Sequence, residues 1–351
     1  MNEIAALHRA GMLAGIAATK AGDAALVQPG LDALQPFTTY LCDGDAATQS
    51  DALVELAHRV VGGVDAIHGY FAHRPAEVAM LAAERLGLPF GFSVHALDMR
   101  KVEPAELRRR AAAAAIVLTC NTDALAALGA EGVNAHLVPH GVDLDRFASA
   151  GFAERTKSGV RLLAVGRLVE KKGFTTLLDA MALLGDLDIS LTIVGDGPEG
   201  ESLHAHIEHL GIAHRVRLLG RTTHDELPGI FRNADVVVAP SVVDHNGDRD
   251  GLPNVVLEAM ACGRPLVASD VAAIASAITS DHNGMLVPPA DPDALARVIR
   301  SLATDPARRT RLASAARRTA EQHFELGHCT TQFCELLTGA FTPLLAQGAR
   351  S

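Results

Sequence analysis

Two carboxylates, Asp250 and Glu258, punctuate the stretch "DGLPNVVLEAMACGRPLVAS" (250–269), the second inside an otherwise apolar run. Pro253 suits the first position of a helix, where its missing N–H costs nothing. The pattern predicts a helix from Pro253 to Cys262, closed by Gly263 and Pro265. Asp250 and Gly251 then lie at the helix entrance, where free N–H groups and the positive dipole end suit a phosphate. Glu258 follows about one turn in and could accept hydrogen bonds from ligand hydroxyls. An N-cap Asp and a Glu paired with a neighbour would give the same spacing, and spacing does not separate the two. "VGRLVEKKGF" (165–174) adds two cations, Arg167 at a strand end and Lys172 before Gly173. Together they could clamp a diphosphate; taken alone, they read as a solvated basic turn.

Other motifs invite chemistry and fail on detail. "VGDGPEG" (194–200) matches the dinucleotide fingerprint through Gly195, Gly197 and Gly200. Glu199 would stand where a pyrophosphate belongs, and the next strand ends in Arg221 instead of a ribose-binding acid. A tight turn near a base is the plainer reading, with an NADP site held weakly open by Arg221. "DHNGDRDG" (244–251) resembles a calcium loop, but Leu257 stands where the bidentate Glu is required. His204, His206 and His209 do not share one helix face. The 165–174 turn lacks the glycine spacing of a P-loop. In the first half, His95 in "FSVHALD", His140 in "VPHGVD" and His68 in "IHGYFAHRP" follow apolar runs. Each alone is an ordinary structural histidine; three at strand ends suggest a shared hollow.

The elements that must carry these residues alternate. In the second half, six short apolar runs (161–168, 190–197, 215–221, 234–241, 265–269 and 284–289) are separated by helical patterns. Unbroken apolar strands between helices predict a parallel, doubly wound sheet, with ligands beyond the strands' carboxyl ends. The first half is a looser copy, with strands expected at 13–18, 64–69, 89–95, 114–120 and 134–142, and Gly87 as a helix C-cap. A polar stretch at 148–159 reads as the linker. The expected domains are 1–150, 151–325 and a closing helical segment, 326–351, that crosses back to the first domain. Two such domains would face each other across a cleft.

Bulk properties agree. At 351 residues the chain exceeds a usual single core. It is 48% hydrophobic, which argues against disorder, and its net charge of −10 disfavours a nucleic-acid partner. Five cysteines without motif spacing read as reduced thiols of a cytoplasmic protein. No signal peptide and no apolar run long enough to span a bilayer is visible. The basic segments 106–110 and 307–318 could meet anionic lipids, although a solvated helix face explains them equally simply.

Taken in order, "GRLVEKKGF", "VGDGPE", "LLGRT", "ADVVVAPS", "DGLPNVVLEAMACGRPLVAS" and "NGMLVPPADPDALA" resemble the retaining GT-B glycosyltransferases with the E-x7-E motif (glycosyltransferase family 4 type). The first half, with "HGYFAHRPA", "FSVHALD" and "VPHGVDLDRF", is most similar to enzymes of colanic acid and exopolysaccharide biosynthesis. The resemblance implies two Rossmann-like domains and a hexosyltransferase. It would move a sugar from a UDP- or GDP-linked donor to a glycan or lipid-linked hydroxyl, with retention of configuration. It implies no metal or other cofactor, and a cytoplasmic enzyme peripheral at the inner membrane. By resemblance, Arg167 and Lys172 hold the diphosphate and Glu258 the ribose. Asp250 and His95 meet the donor sugar. Gly251, Leu252 and Asn254 offer amides, and Gly195, Gly197 and Arg221 line the base.

Four departures qualify it. Asp250 replaces the motif's leading Glu. The family's Gly-Gly-Ile-Pro-Glu is "AAIAS" (272–276), so two glycines are alanines and Pro and Glu are Ala275 and Ser276. The family's first strand and Gly-rich turn have no counterpart, which predicts an impaired or altered first half. The rivals are a nucleotide-sugar epimerase or hydrolase of the same fold, a non-catalytic nucleotide-sugar-binding protein, and a dehydrogenase.

Overall fold

The computed structural model describes residues 16–18, 38–41, 43–60, 63–95, 98–149 and 159–348. The chain divides into two compact units, Met1–Gly141 with Leu326–Ser351, and Val142–Glu325. The division falls before the 150/151 boundary read from sequence. The reason is packing: Val142 and Phe147 are buried in a cluster with Phe231, Val256 and Met260 of the second unit. Most of the stretch read as a linker lies outside the described residues.

The second unit is one six-stranded parallel sheet. Its strands are β7 (Val160–Val165), β8 (Ile189–Val194), β9 (Val216–Gly220), β10 (Val236–Ala239), β11 (Leu266–Ser269) and β12 (Met285–Val287). The spatial order is β12-β11-β10-β7-β8-β9. Every pairing is parallel. This order reverses at β7 and β10, the first and fourth strands, where doubly wound sheets leave a crevice for ligands. The strands are short apolar runs because helices cover both faces: Leu162, Ala164, Leu191 and Ile193 pack into one cluster, Leu163, Val194 and Val237 into the other. Chain connection and burial together therefore account for the unbroken apolar pattern.

The first unit holds two separate parallel sheets. A four-stranded sheet runs in chain order: β3 (Ile67–Gly69), β4 (Phe90–Val94), β5 (Ile116–Thr119) and β6 (His136–Leu137). A second contains β1 (Ile16–Ala18) and β2 (Thr38–Tyr40). Strand β2 was not expected from the sequence; its three residues are too short for a period to register. Among the described residues no ladder joins the two sheets. Helix Arg74–Leu86 ends, as read, on Gly87 in the left-handed region (φ 66°). Helix Leu326–Gly348 belongs to this unit: Phe333 and Leu337 pack on Ile116, Leu118 and Val138.

Candidate active site

Three chain segments meet beyond the carboxyl ends of β7 and β10. After β7 the chain turns through a 3-10 segment, Glu170–Lys172, and enters helix Phe174–Ala182 at Gly173. Gly173 has φ 64°, and a Cβ there would stand 1.9 Å from the Pro240 carbonyl oxygen. Only glycine allows this turn to close on the end of β10, where Val242 N–H donates to the Lys171 carbonyl at 2.9 Å. That contact carries both lysines to the loop preceding helix Asn254–Ala261.

There Lys172 Nζ donates to Asp250 Oδ2 at 2.7 Å, and Ser241 Oγ donates to the same oxygen at 3.0 Å. Lys171 Nζ lies 3.8 Å from Asp250 Oδ1 and bonds Asp248 at 2.9 Å. The carboxylates that suggested a calcium loop are thus occupied by ammonium groups. Helix Asn254–Ala261 begins one residue later than expected, with Pro253 as N-cap and Cys262 as C-cap. The N–H groups of Gly251, Leu252 and Asn254 meet no acceptor among the described residues. Asn254 is exposed, and Gly251 and Leu252 are half-buried.

Glu258 is buried, at 9% exposure, and its carboxylate accepts no hydrogen bond from the described residues. Burial pushes its carboxyl up to about 7, against the opposing pull of Arg146 and Lys172. Arg146 donates to Asp225 at 2.6 Å, while its Nε is buried with no hydrogen-bond partner. An unbonded buried carboxylate and an incompletely bonded guanidinium are costly in a finished core. Such a carboxylate can accept hydrogen bonds from a ligand's hydroxyls, and such a guanidinium can donate to an anion.

The other candidates fall as follows. Arg167 is exposed, and its guanidinium makes no hydrogen bond or ion pair among the described residues. Gly195 and Gly197 are explained by backbone packing: a Cβ would stand 1.8 Å from the Gly166 oxygen and 2.4 Å from the Leu168 oxygen. Arg221 donates to Asp196 at 2.9 Å, both well exposed. His95 lies in the first unit, its Nε2 3.0 Å from the Tyr70 carbonyl. His68 is half-buried, bonded to Ser93 at 2.8 Å and pushed down to about 3 by burial, then by His95. His206 pairs with Asp179 at 2.7 Å.

Sequence reading missed Arg146, Ser241 and Lys171. Arg146 sits in "GVDLDRF", a stretch assigned to the other domain; nothing short of the tertiary packing returns it. Ser241 follows the end of β10 by two residues, so its place beyond a strand end was a usable signal. Lys171 adjoins Lys172, and only the 3-10 geometry lets both reach the acidic loop.

Comparison with known proteins bears on the family and the fold. Residues 152–319 match the family described as Glycosyl transferases group 1. The chain is 32% identical over 307 residues to a D-inositol 3-phosphate glycosyltransferase of Salinispora tropica, across 75% of this chain and 62% of the relative. It is 35% identical over 294 residues to D-inositol 3-phosphate glycosyltransferase 1 of Catenulispora acidiphila, across 74% of this chain and 68% of that one. The match thus spans somewhat under two thirds of the Salinispora relative's own length. The crystal structure of Anabaena HepE in complex with UDP superposes with a TM-score of 0.81, at 22% identity, over 96% of this chain and 94% of that one. This likeness shows the fold, GT-B with two parallel-sheet α/β domains. The chain belongs to the group 1 glycosyl transferases.

Proposed function

We propose that this chain transfers a hexosyl group from a nucleoside-diphosphate sugar, UDP- or GDP-linked, to a hydroxyl of a glycan or lipid-linked acceptor, with retention at the anomeric carbon. One observation supports it most directly: Glu258, buried and unbonded, beside the Lys172–Asp250 pair and Arg146. In this reading Glu258 accepts hydrogen bonds from the ribose hydroxyls and Asp250 from the donor sugar. Lys172 and Arg167 meet the diphosphate with the amides of Gly251, Leu252 and Asn254. Charge grows on the leaving diphosphate as the glycosidic bond breaks, so cations already in position contribute most to the rate. Lys172 is held by Asp250 before the donor arrives, which removes its rotamer search from the reaction. His95 would approach the donor sugar. No metal is assigned at the diphosphate, and a site of work in the cytoplasm or at the inner membrane is part of the proposal.

The test is a thermal-shift panel of UDP, GDP and their sugars, followed by transfer assays with the responding donor and NMR of the product's anomeric proton. Stabilisation by a nucleotide sugar and an axial product from an axial donor are expected. Failure of every nucleotide sugar to shift the transition would remove the reading. Stabilisation with donor hydrolysis but no transfer would favour the hydrolase alternative. Turnover is expected to survive EDTA.

A further inference from the structure

We propose that Lys171 is a positioning residue of the candidate active site: its ammonium bridges Asp248 and Asp250 and so fixes the carboxylate that holds Lys172. The inference rests on the transfer reading above, in which Lys172 meets the diphosphate.

The 3-10 turn Glu170–Lys172 and the loop after β10 close on each other residue by residue. Glu170 Oε1 accepts from the His245 N–H at 2.9 Å, and its Oε2 meets His245 Nδ1. Lys171 Nζ donates to Asp248 Oδ2 at 2.9 Å. Lys172 Nζ donates to Asp250 Oδ2 at 2.7 Å. The loop also folds on itself: Asp244 N–H donates to the Asp248 carbonyl at 2.9 Å, and Asp248 N–H to Asp244 Oδ1 at 2.7 Å. That turn, with Gly247 at φ 74°, fixes Asp248 but stops short of Asp250. Asp250 makes no backbone hydrogen bond among the described residues. Its place therefore depends on what its side chain meets.

Lys172 and Ser241 both hold Oδ2. A carboxylate held through one oxygen still turns about that contact. Lys171 Nζ, 3.8 Å from Oδ1, is the cation at the other oxygen. Being bonded to Asp248, it carries the order of the turn on to Asp250. It also stands between two neighbouring acids of the loop, whose charges would otherwise repel. These groups are shielded enough for the attraction to count, with side-chain exposures of 25% at Lys171, 27% at Asp248 and 10% at Asp250. Diphosphate charge grows as the donor bond breaks, so a displaced Lys172 costs more in the transition state than in the bound donor. Loss of Lys171 should accordingly appear in kcat and spare KM.

Lys171→Met and Lys171→Arg are compared with wild type at full length, with UDP-glucose and GDP-mannose as donors, water as acceptor, and released UDP or GDP as the readout. In Lys171→Met, kcat should fall about 10-fold or more with donor KM within about 3-fold. Lys171→Arg should keep most of the rate, since it keeps the charge. Amides 242–248 of the donor-free Lys171→Met protein should exchange hydrogen at least about 3-fold faster than in wild type. A folded Lys171→Met enzyme with wild-type kcat overturns the proposal. So does a loss confined to KM, which would make Lys171 a donor contact instead. If Lys171→Met fails to fold, Asp248→Asn cuts the same bridge and carries the same expectations. Where wild type turns over neither donor, it is the transfer reading that loses support, and hydrogen exchange still decides the bridge: unchanged protection overturns it.

Discussion

At the scale of single residues, Glu258 carries the sharpest expectations. Its carboxyl is raised from 4.5 to about 7, chiefly by burial. The folded state therefore keeps the proton longer than the unfolded chain. The cost is absent below about pH 4.5, grows up to about 7 and is complete above it, where it approaches roughly 3 kcal/mol. Glu258→Gln should melt higher than wild type near pH 8 and at about the same temperature near pH 4, by calorimetry. The same variant should lose nucleotide affinity. Ligand hydroxyls favour the ionised form, so wild-type affinity should rise with pH up to about 7 and then level, by titration calorimetry. A flat profile would separate Glu258 from the ligand. Arg167→Ala offers the complementary case. The side chain is exposed and unbonded, so the melting temperature should hold within about 0.5 kcal/mol equivalent. Donor affinity should nevertheless fall about 10-fold or more, as for a lost charge-assisted hydrogen bond. In the first unit, burial raises the Cys120 thiol, but hydrogen bonds from His140 and His95 outweigh it and bring the thiol to about 6.

At the scale of elements, glycines at turn closures decide whether the site assembles. Gly173 and Gly211 have nearly the same backbone, φ 64° and 66°, but a Cβ at Gly211 meets nothing within 4 Å. Gly211→Ala should cost about 1–2 kcal/mol, the left-handed penalty alone. Gly173→Ala adds a collision with the Pro240 carbonyl at 1.9 Å and should cost more than about 3 kcal/mol in urea unfolding. The reverse case is Ala272, which holds φ 49° ahead of helix Ile274–Ala277. The resemblance places glycine there, and the backbone still adopts the glycine conformation. Ala272→Gly should stabilise by about 1 kcal/mol; no gain would mean the loop relaxes around the alanine. The element readings that held share one property. They rest on apolar runs, clearest in β10 and β11, which are buried on both faces, so the pattern marks them without help from pairing. Strand β2, the one not read, is only three residues long and carries no period of its own.

At the scale of the whole molecule, chain continuity and packing disagree. The first unit is completed by residues 326–351, which follow the entire second unit. Phe333, at 3% exposure, packs on Ile116, Leu118 and Val138 and edge-on against His68. Phe333→Ala should therefore lower only a first-unit unfolding transition, by about 3–5 kcal/mol, and leave that of the second unit in place. Hydrogen exchange read on each unit would show it; equal losses in both would mean that the units unfold as one.

The sequence by itself determined the α/β class, the six strands of the second unit, and the residues Asp250, Glu258, Arg167 and Lys172 as the ones to examine. Those signals are local: apolar runs, a proline before a helix, charges after strands. Tertiary structure alone decided which charges meet. Lys172 reaches Asp250, 78 residues away, because Gly173 lets one turn close on the end of another strand. It also returned Arg146 to the second unit and gathered His95, Cys120 and His140 at one sheet edge. Burial, register and strand order arise between distant segments, and no stretch of chain encodes them alone.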